Sequence, residues 1–255
     1  MENKFNYPNT AISPDKSEKK LGRIVETGIS LLGLKYKDIL GENNLDNLPK
    51  NRPVIFATPH FSDTEILITV DSLLNKLKYK KPIKIIQDET HTKFKSNPSG
   101  WTSMIIGGKE NFLSIGTFFL VDKEQSSPIV ETLKNGTSIV MAAYFNPKKE
   151  FYNKKFSQKG VILPEIGGVG SIFLAQKTDA VVVPVGVDIN DKRKVTVSFG
   201  EFLDFKKIEN LDDYRKDLKT TLLINNELKK QSDYLMGSLA KLVPEEKQGI
   251  WKNKI

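Results

Sequence analysis

Residues Pro53-Val-Ile-Phe-Ala-Thr-Pro-His60-Phe-Ser-Asp-Thr-Glu65 decide how this chain folds. Pro53 to Thr58 is a short apolar run after a polar turn, which reads as a strand buried on both faces. From Thr64 to Leu77 the apolar residues Ile66, Ile68, Val70, Leu73 and Leu74 recur at helical spacing. A buried strand leading directly into such a helix is the repeating unit of an α/β sheet. His60 falls at the joint, just past the carboxyl end of the strand, where α/β sheets build their sites.

The alternation continues downstream. Strands are predicted over Pro82–Ile86, Gly116–Val121, Thr137–Ala142 and Ala180–Val187. Val195, Val197 and Phe199 alternate within Lys194–Phe199, the pattern of a half-buried strand. Helices are predicted over Ser126–Lys134 and Gly168–Lys177, with a long helical region from about Leu211 to Leu242. The fold class is therefore α/β: a single layered domain over residues 51–255, with a mostly parallel central sheet flanked by helices. Upstream, residues 1–16 read as a flexible arm and 17–50 as an N-terminal helical segment. Leu21, Ile24, Val25, Ile29 and Leu32 make its helix, over about 17–33, amphipathic. Two uses of that apolar stripe are open: insertion into a membrane interface, or packing on the domain. The first predicts that a chain lacking residues 1–34 still folds.

Composition narrows the classes of function. The chain has 255 residues, no cysteine and two histidines, His60 and His91. Disulfides, thiolate metal sites and thiol nucleophiles are excluded, and a multi-histidine metal site is not expected. The absence of cysteine fits an intracellular protein. The N-terminus has no apolar signal core, and no run approaches the length of a membrane span. The net charge is +8, carried mostly by lysine, with arginine only at 23, 52, 193 and 215. Lysines 76, 78, 80, 81, 84, 93, 95 and 109 form one basic segment, and 148, 149, 154, 155 and 159 another. Lysine-rich charge suits phosphorylated small molecules or an anionic membrane surface. Readers of nucleic acid lean more on the arginine fork.

The residues with the most chemistry are His60, Asp63 and Glu65. A histidine with a nearby carboxylate can act as a general base, the carboxylate fixing its tautomer and stabilising the imidazolium. The competing reading is a surface histidine at a helix start capped by Ser62 or Asp63.

His60-x4-Glu65 resembles the His-x4-Asp/Glu motif of the glycerolipid (lysophospholipid) acyltransferase family. Further blocks are similar in the same order. Gly116-Thr-Phe-Phe-Leu-Val-Asp122-Lys123 looks like the family's Gly-x-Ile-Phe-Val-Asp-Arg block, and a helix and Leu133-Lys-Asn-Gly136 follow it. Leu163-Pro-Glu-Ile-Gly-Gly-Val-Gly-Ser-Ile-Phe-Leu-Ala175 resembles the segment after the third block, and Ala180-Val-Val-Val-Pro184-Val-Gly186-Val the fourth. Leu235 to Trp251 looks like the C-terminal helix and exit, so the resemblance spans roughly 50–251. Two departures stand out. Lys123 replaces the second-block arginine, giving a point charge in place of a bidentate fork. The third block, usually Phe-Pro-Glu-Gly-Thr-Arg, is replaced at its place by Val140-Met-Ala-Ala-Tyr144-Phe-Asn-Pro147. Glu165 imitates its glutamate but lies later in register.

The resemblance implies an O-acyltransferase of phospholipid biosynthesis, similar to 1-acylglycerol-3-phosphate acyltransferases. A fatty acyl group would move from a thioester donor, acyl-CoA or acyl-carrier protein, to a hydroxyl of a lysophospholipid or glycerol phosphate. His60 would be the general base and Glu65 its partner. Lys123, Asp122, Gly116 and Pro184 would bind substrate, with Asp63 and Glu165 as further candidates. No metal or cofactor beyond the acyl co-substrate is implied. The chain would act at the cytoplasmic face of a membrane, held peripherally on anionic lipid and without a span. The alternatives are a catalytically weakened member that binds lipid or acyl chains, and a basic nucleic-acid-binding protein. The scarcity of arginine and of basic-aromatic motifs weighs against the latter.

Overall fold

The computed structural model describes residues 16–61, 64–88, 112–115, 123–144, 162–214 and 216–254. Seven strands form one sheet in the order β1-β7-β6-β2-β5-β3-β4. They are β1 (Lys35–Leu40), β2 (Val54–Thr58), β3 (Ile83–Asp88), β4 (Phe112–Ile115), β5 (Ser138–Ala142), β6 (Val181–Ile189) and β7 (Lys194–Phe199). Among the described strands, β6 and β7 pair antiparallel and the other neighbours are parallel. The helices are α1 (Lys16–Leu31), α2 (Asn43–Asp46), α3 (Thr64–Asp71), α4 (Lys123–Lys134), α5 (Gly170–Thr178) and α6 (Leu218–Ala240). The expected α/β domain with a mostly parallel sheet and an N-terminal amphipathic helix is what the chain builds.

The central strands are apolar on both faces because both faces are covered. Val54 and Phe56 of β2, Val140 of β5, and Val181, Val183 and Val185 of β6 join the core under α1 and α3. Ile55 and Ala57, Ile139 and Met141, and Val182 join the opposite core with residues of α4, α5 and α6. The period of two in each strand thus sorts one sequence into two hydrophobic layers.

The N-terminal segment resolves one open alternative and departs from its expectation in one respect. Leu21, Val25 and Ile29 of α1 are buried in the core shared with α3, so the stripe packs on the domain and is not offered to a membrane. Asn75 fastens this contact, donating to the Gly22 carbonyl at 2.7 Å and to Asp71 at 2.6 Å. The helical segment assigned to 17–50 also contains a strand, β1, which pairs with β7 and so continues the sheet across residue 50. Its sequence, Lys-Tyr-Lys-Asp-Ile-Leu, is too polar to stand out, because an edge strand takes its identity from its neighbour. Gly41 ends β1 at φ +70, where a Cβ would lie 2.0 Å from the Phe199 carbonyl oxygen.

The predicted 211–242 helix divides. A short 3-10 turn (Leu211–Asp213) precedes α6, which begins where Asp217 accepts a hydrogen bond from the Thr220 amide at 2.8 Å. The first 15 residues of the expected arm and most of the strand predicted at 116–121 lie outside the described residues. No helix among the described residues is long and apolar enough to cross a membrane.

Candidate active site

In the sheet order, β2 has β5 on one side and β6 on the other, while the chain leaves β2 for β3 beyond β5. The carboxyl ends of β2, β5 and β6 flank the point where the order reverses, which is where α/β sheets open a crevice. His60 stands there, two residues past the end of β2. Phe61 is buried in the core beside it and anchors the turn. His60 is half-buried, with its Nδ1 atom inside.

Glu65 lies in the first turn of α3 and is 0% exposed. Its position follows from the helix. Glu65, Ile68, Thr69 and Ser72 recur at i, i+3, i+4 and i+7 and are all buried. Thr69 Oγ1 bonds the Glu65 carbonyl at 2.9 Å and touches Thr58 Oγ1 at 3.5 Å, tying this face to the end of β2. A carboxylate removed from water needs compensating charge or donors, and the helix N-terminus supplies a favourable dipole. The structure therefore puts an imidazole and a buried carboxylate at the two ends of one strand-to-helix turn. Asp63, inside that turn, lies outside the described residues.

The next strand end brings other groups. The Ala143 amide donates to the Thr58 carbonyl at 2.8 Å, and the Gly168 amide donates to the Ala143 carbonyl at 3.1 Å. This chain of two bonds joins the β2 end, the β5 end and the approach to α5. Tyr144 is buried just beyond β5. Gly168 admits no side chain, because a Cβ would sit 2.8 Å from the Ala143 oxygen and 2.9 Å from Tyr144 Cα. Glu165, three residues earlier, is exposed.

Pro184 is buried within β6, in register with Ala57. It lies where the register of β6 with β2 ends, and its carbonyl accepts the Gly200 amide at 2.9 Å. A residue without an N–H fits that point of the ladder. Lys123 opens α4. Gly116 and Asp122 lie outside the described residues, as do Lys93, Lys95 and the lysines of 148–159. Within the first basic segment, Lys81 is spent on structure. It donates to the Pro49 and Arg52 carbonyls at 3.0 and 2.6 Å, and burial lowers its pKa from the ordinary lysine value.

Sequence reasoning missed a buried ion pair at this end of the sheet. Lys247 binds Asp188 near the end of β6, and its ammonium lies 6.0 Å from the centre of the Phe61 ring. The pair is thus one residue removed from His60. Nothing in Pro244-Glu-Glu-Lys247 distinguishes it from a solvated charge run. The Lys247 carbonyl also accepts the Leu163 amide at 2.7 Å, and Trp251 Nε1 donates to the Pro164 carbonyl at 2.8 Å. These bonds hold segment 162–169 against the C-terminal turns.

Among the described residues, no group of three or more His, Asp and Glu side chains is placed to hold a metal ion. Tyr36 and Tyr79, whose pKa values are raised chiefly by burial, belong to the structural layer under α1 and α3 and not to this end of the sheet. In comparisons with known proteins, no family model and no curated protein matches the chain.

Proposed function

We propose that the chain is an O-acyltransferase with His60 as general base and Glu65 as the group that orients it. The observation carrying this reading is a half-buried histidine at the carboxyl end of a central strand, followed one turn later by a fully buried glutamate. His60 takes the proton of an acceptor hydroxyl while that oxygen bonds to the thioester carbonyl carbon. The tetrahedral adduct then expels the thiolate as the carbon–sulfur bond breaks, and the imidazolium returns its proton to sulfur. Glu65 stabilises the imidazolium through this cycle. The acceptor is a lysophospholipid or glycerol phosphate, and the donor is acyl-CoA or acyl-carrier protein. Lys123, at the start of α4, is the proposed contact for the acceptor phosphate.

A lipid acceptor requires a docking surface. Since α1 is packed on its own domain, the surface proposed is the one formed by Ile162, Ile166 and Ile250, which are 50%, 73% and 37% exposed. Ile162 and Ile166 flank Leu163 and Pro164, which are bonded to the C-terminal turns carrying Ile250. Lys252 and Lys254 are exposed beside them and suit anionic lipid at the cytoplasmic face.

A second reading rests on Tyr144. With a buried tyrosine and no acidic residue directly after β5, the site is that of a weakened member which binds lipid or acyl chains. The test incubates pure protein with labelled acyl-CoA and a panel of lysolipids. Transfer that falls 10²–10⁴-fold in His60→Ala supports the enzyme. Binding of lysolipid without transfer, unchanged in that variant, supports the second reading.

A further inference from the structure

We infer that the N-terminus of α5 is a phosphate-binding site. Because parallel β5 and β6 are joined through α5, the helix starts at the carboxyl end of the sheet, and Gly168 ties that start to the β5 end through Ala143. One interstrand step, about 5 Å, and one further hydrogen bond separate this point from Thr58. A ligand reaching His60 therefore lies within a side chain's length of the helix start.

Among the described residues, no side chain caps the start of this helix. Val169 stands at the N-cap and supplies no side-chain hydrogen bond. Among the described residues, the Phe173 amide is the first of the helix to find a backbone acceptor, on Val169 at 2.8 Å. The Gly168 carbonyl is already taken by Ser232 Oγ at 3.0 Å. The preceding amides point along the axis, where the helix dipole adds positive potential. That combination favours a phosphate-sized anion.

Ser171 supplies the independent observation. It is 1% exposed, and its Oγ is buried with no hydrogen-bond partner among the described residues. A buried hydroxyl without a partner costs about 1–3 kcal/mol, so native proteins seldom leave one. In a helix the Cα–Cβ bond tilts toward the N-terminus, so this hydroxyl is aimed over the first turn, at the same place as the open amides. Gly167-Gly-Val-Gly170 itself contributes no polar side chain that would satisfy them. The amides and the Ser171 hydroxyl together form a donor set that matches phosphate oxygens. That the phosphate belongs to the acyl acceptor rests on the function proposed above; the site itself rests on this geometry. It also gives a chain with Lys123 in place of an arginine, and with no third-block arginine, a second holder for that charge.

The test is direct binding to the full chain, read by calorimetry and by ³¹P line broadening. One arm uses glycerol 3-phosphate in solution, and the other uses phosphatidylcholine vesicles with and without phosphatidic acid. Val169→Asp puts a carboxylate cap on the same amides, which maintains the helix and repels an anion. Ser171→Ala removes the hydroxyl. At least tenfold weaker binding in both variants, with unchanged melting temperature, supports the site, and the arm that responds tells whether a free or a lipid phosphate is held. Binding of neither probe by the wild-type chain, or equal binding by wild type and both variants, overturns it. His60→Ala should bind as wild type does. A chain that binds phosphate here and transfers no acyl group would overturn the acyltransferase and leave this site standing.

Discussion

Lys247 and Asp188, 59 residues apart in sequence, form an ion pair whose side chains are only 8% and 23% exposed. The lysine also faces the Phe61 ring, so the C-terminal turns, the end of β6 and the residue after His60 meet at one ammonium group. Breaking a buried pair from one side leaves an uncompensated charge. Lys247→Met should therefore cost about 3 kcal/mol in urea unfolding. Asp188→Asn in the same chain should recover most of it. Acyl transfer should fall in Lys247→Met, because Phe61 loses its contact with the ammonium, and should stay low in the double variant, which restores stability but not that contact. A single variant with unchanged unfolding midpoint would show that the pair contributes nothing.

Glu65 and Asp63 separate function from local structure. Glu65→Gln keeps volume while removing the charge that would stabilise the imidazolium. Transfer should drop at least 10²-fold in kcat with little change in KM, at nearly unchanged Tm. Asp63→Asn should leave kcat within a few-fold and lose about 1 kcal/mol of stability as a helix-start residue. The reverse pattern would exchange their roles.

The places of His60 and Glu65 were legible because both belong to one short segment. A strand and a helix start can be read from periodicity, and a residue next to the strand's end inherits a place at the sheet's carboxyl end. β6 and β7 were legible for the same reason, since Val195, Val197 and Phe199 alternate openly. β1 was not, because Lys35–Leu40 carries no apolar run of its own and is defined by its bonds to β7. The use of the α1 stripe was ambiguous in sequence, since a membrane and a protein core attract the same Leu21, Val25 and Ile29. Lys247–Asp188 and Ser171 were invisible for another reason. Their roles depend on which distant segments share one end of the sheet, and local pattern carries no record of that.

Acid sensitivity should be traceable to Arg52. Its guanidinium bonds Asp204 at 2.6 and 2.8 Å, and that hydrogen bond is the main cause lowering the Asp204 pKa from the ordinary aspartate value. A carboxylate depressed in the folded state adds stability that is complete above its unfolded pKa, about 4. That stability is lost as pH falls through the lower folded value. Asp204→Asn should therefore melt below wild type at pH 7, with the gap closing as pH drops from about 4 toward 2. A gap that stays constant over that range would assign the loss to packing. Because the Asp204 side chain is about half exposed, added salt should shrink the gap as well.

The membrane reading makes the sharpest demand, because one of its two sequence-level supports is gone. Deleting residues 1–34 removes Leu21, Val25 and Ile29 from the core. At roughly 1.5–3 kcal/mol for each buried side chain, that loss should leave the chain unfolded, so the deletion cannot report on docking. The exposed isoleucines can. Ile166→Asp with Ile162→Asp changes the two more exposed side chains of the patch and should leave Tm nearly unchanged. Full-length protein should float with anionic liposomes, less at high salt as lysine attraction is screened. A salt-resistant fraction should remain through the isoleucines, each contributing on the order of 1–2 kcal/mol when taken out of water. The double variant should lose that fraction and keep the salt-sensitive one. Flotation equal to wild type at high salt would place docking on another face, and no flotation at low salt would make a soluble acceptor the better assignment.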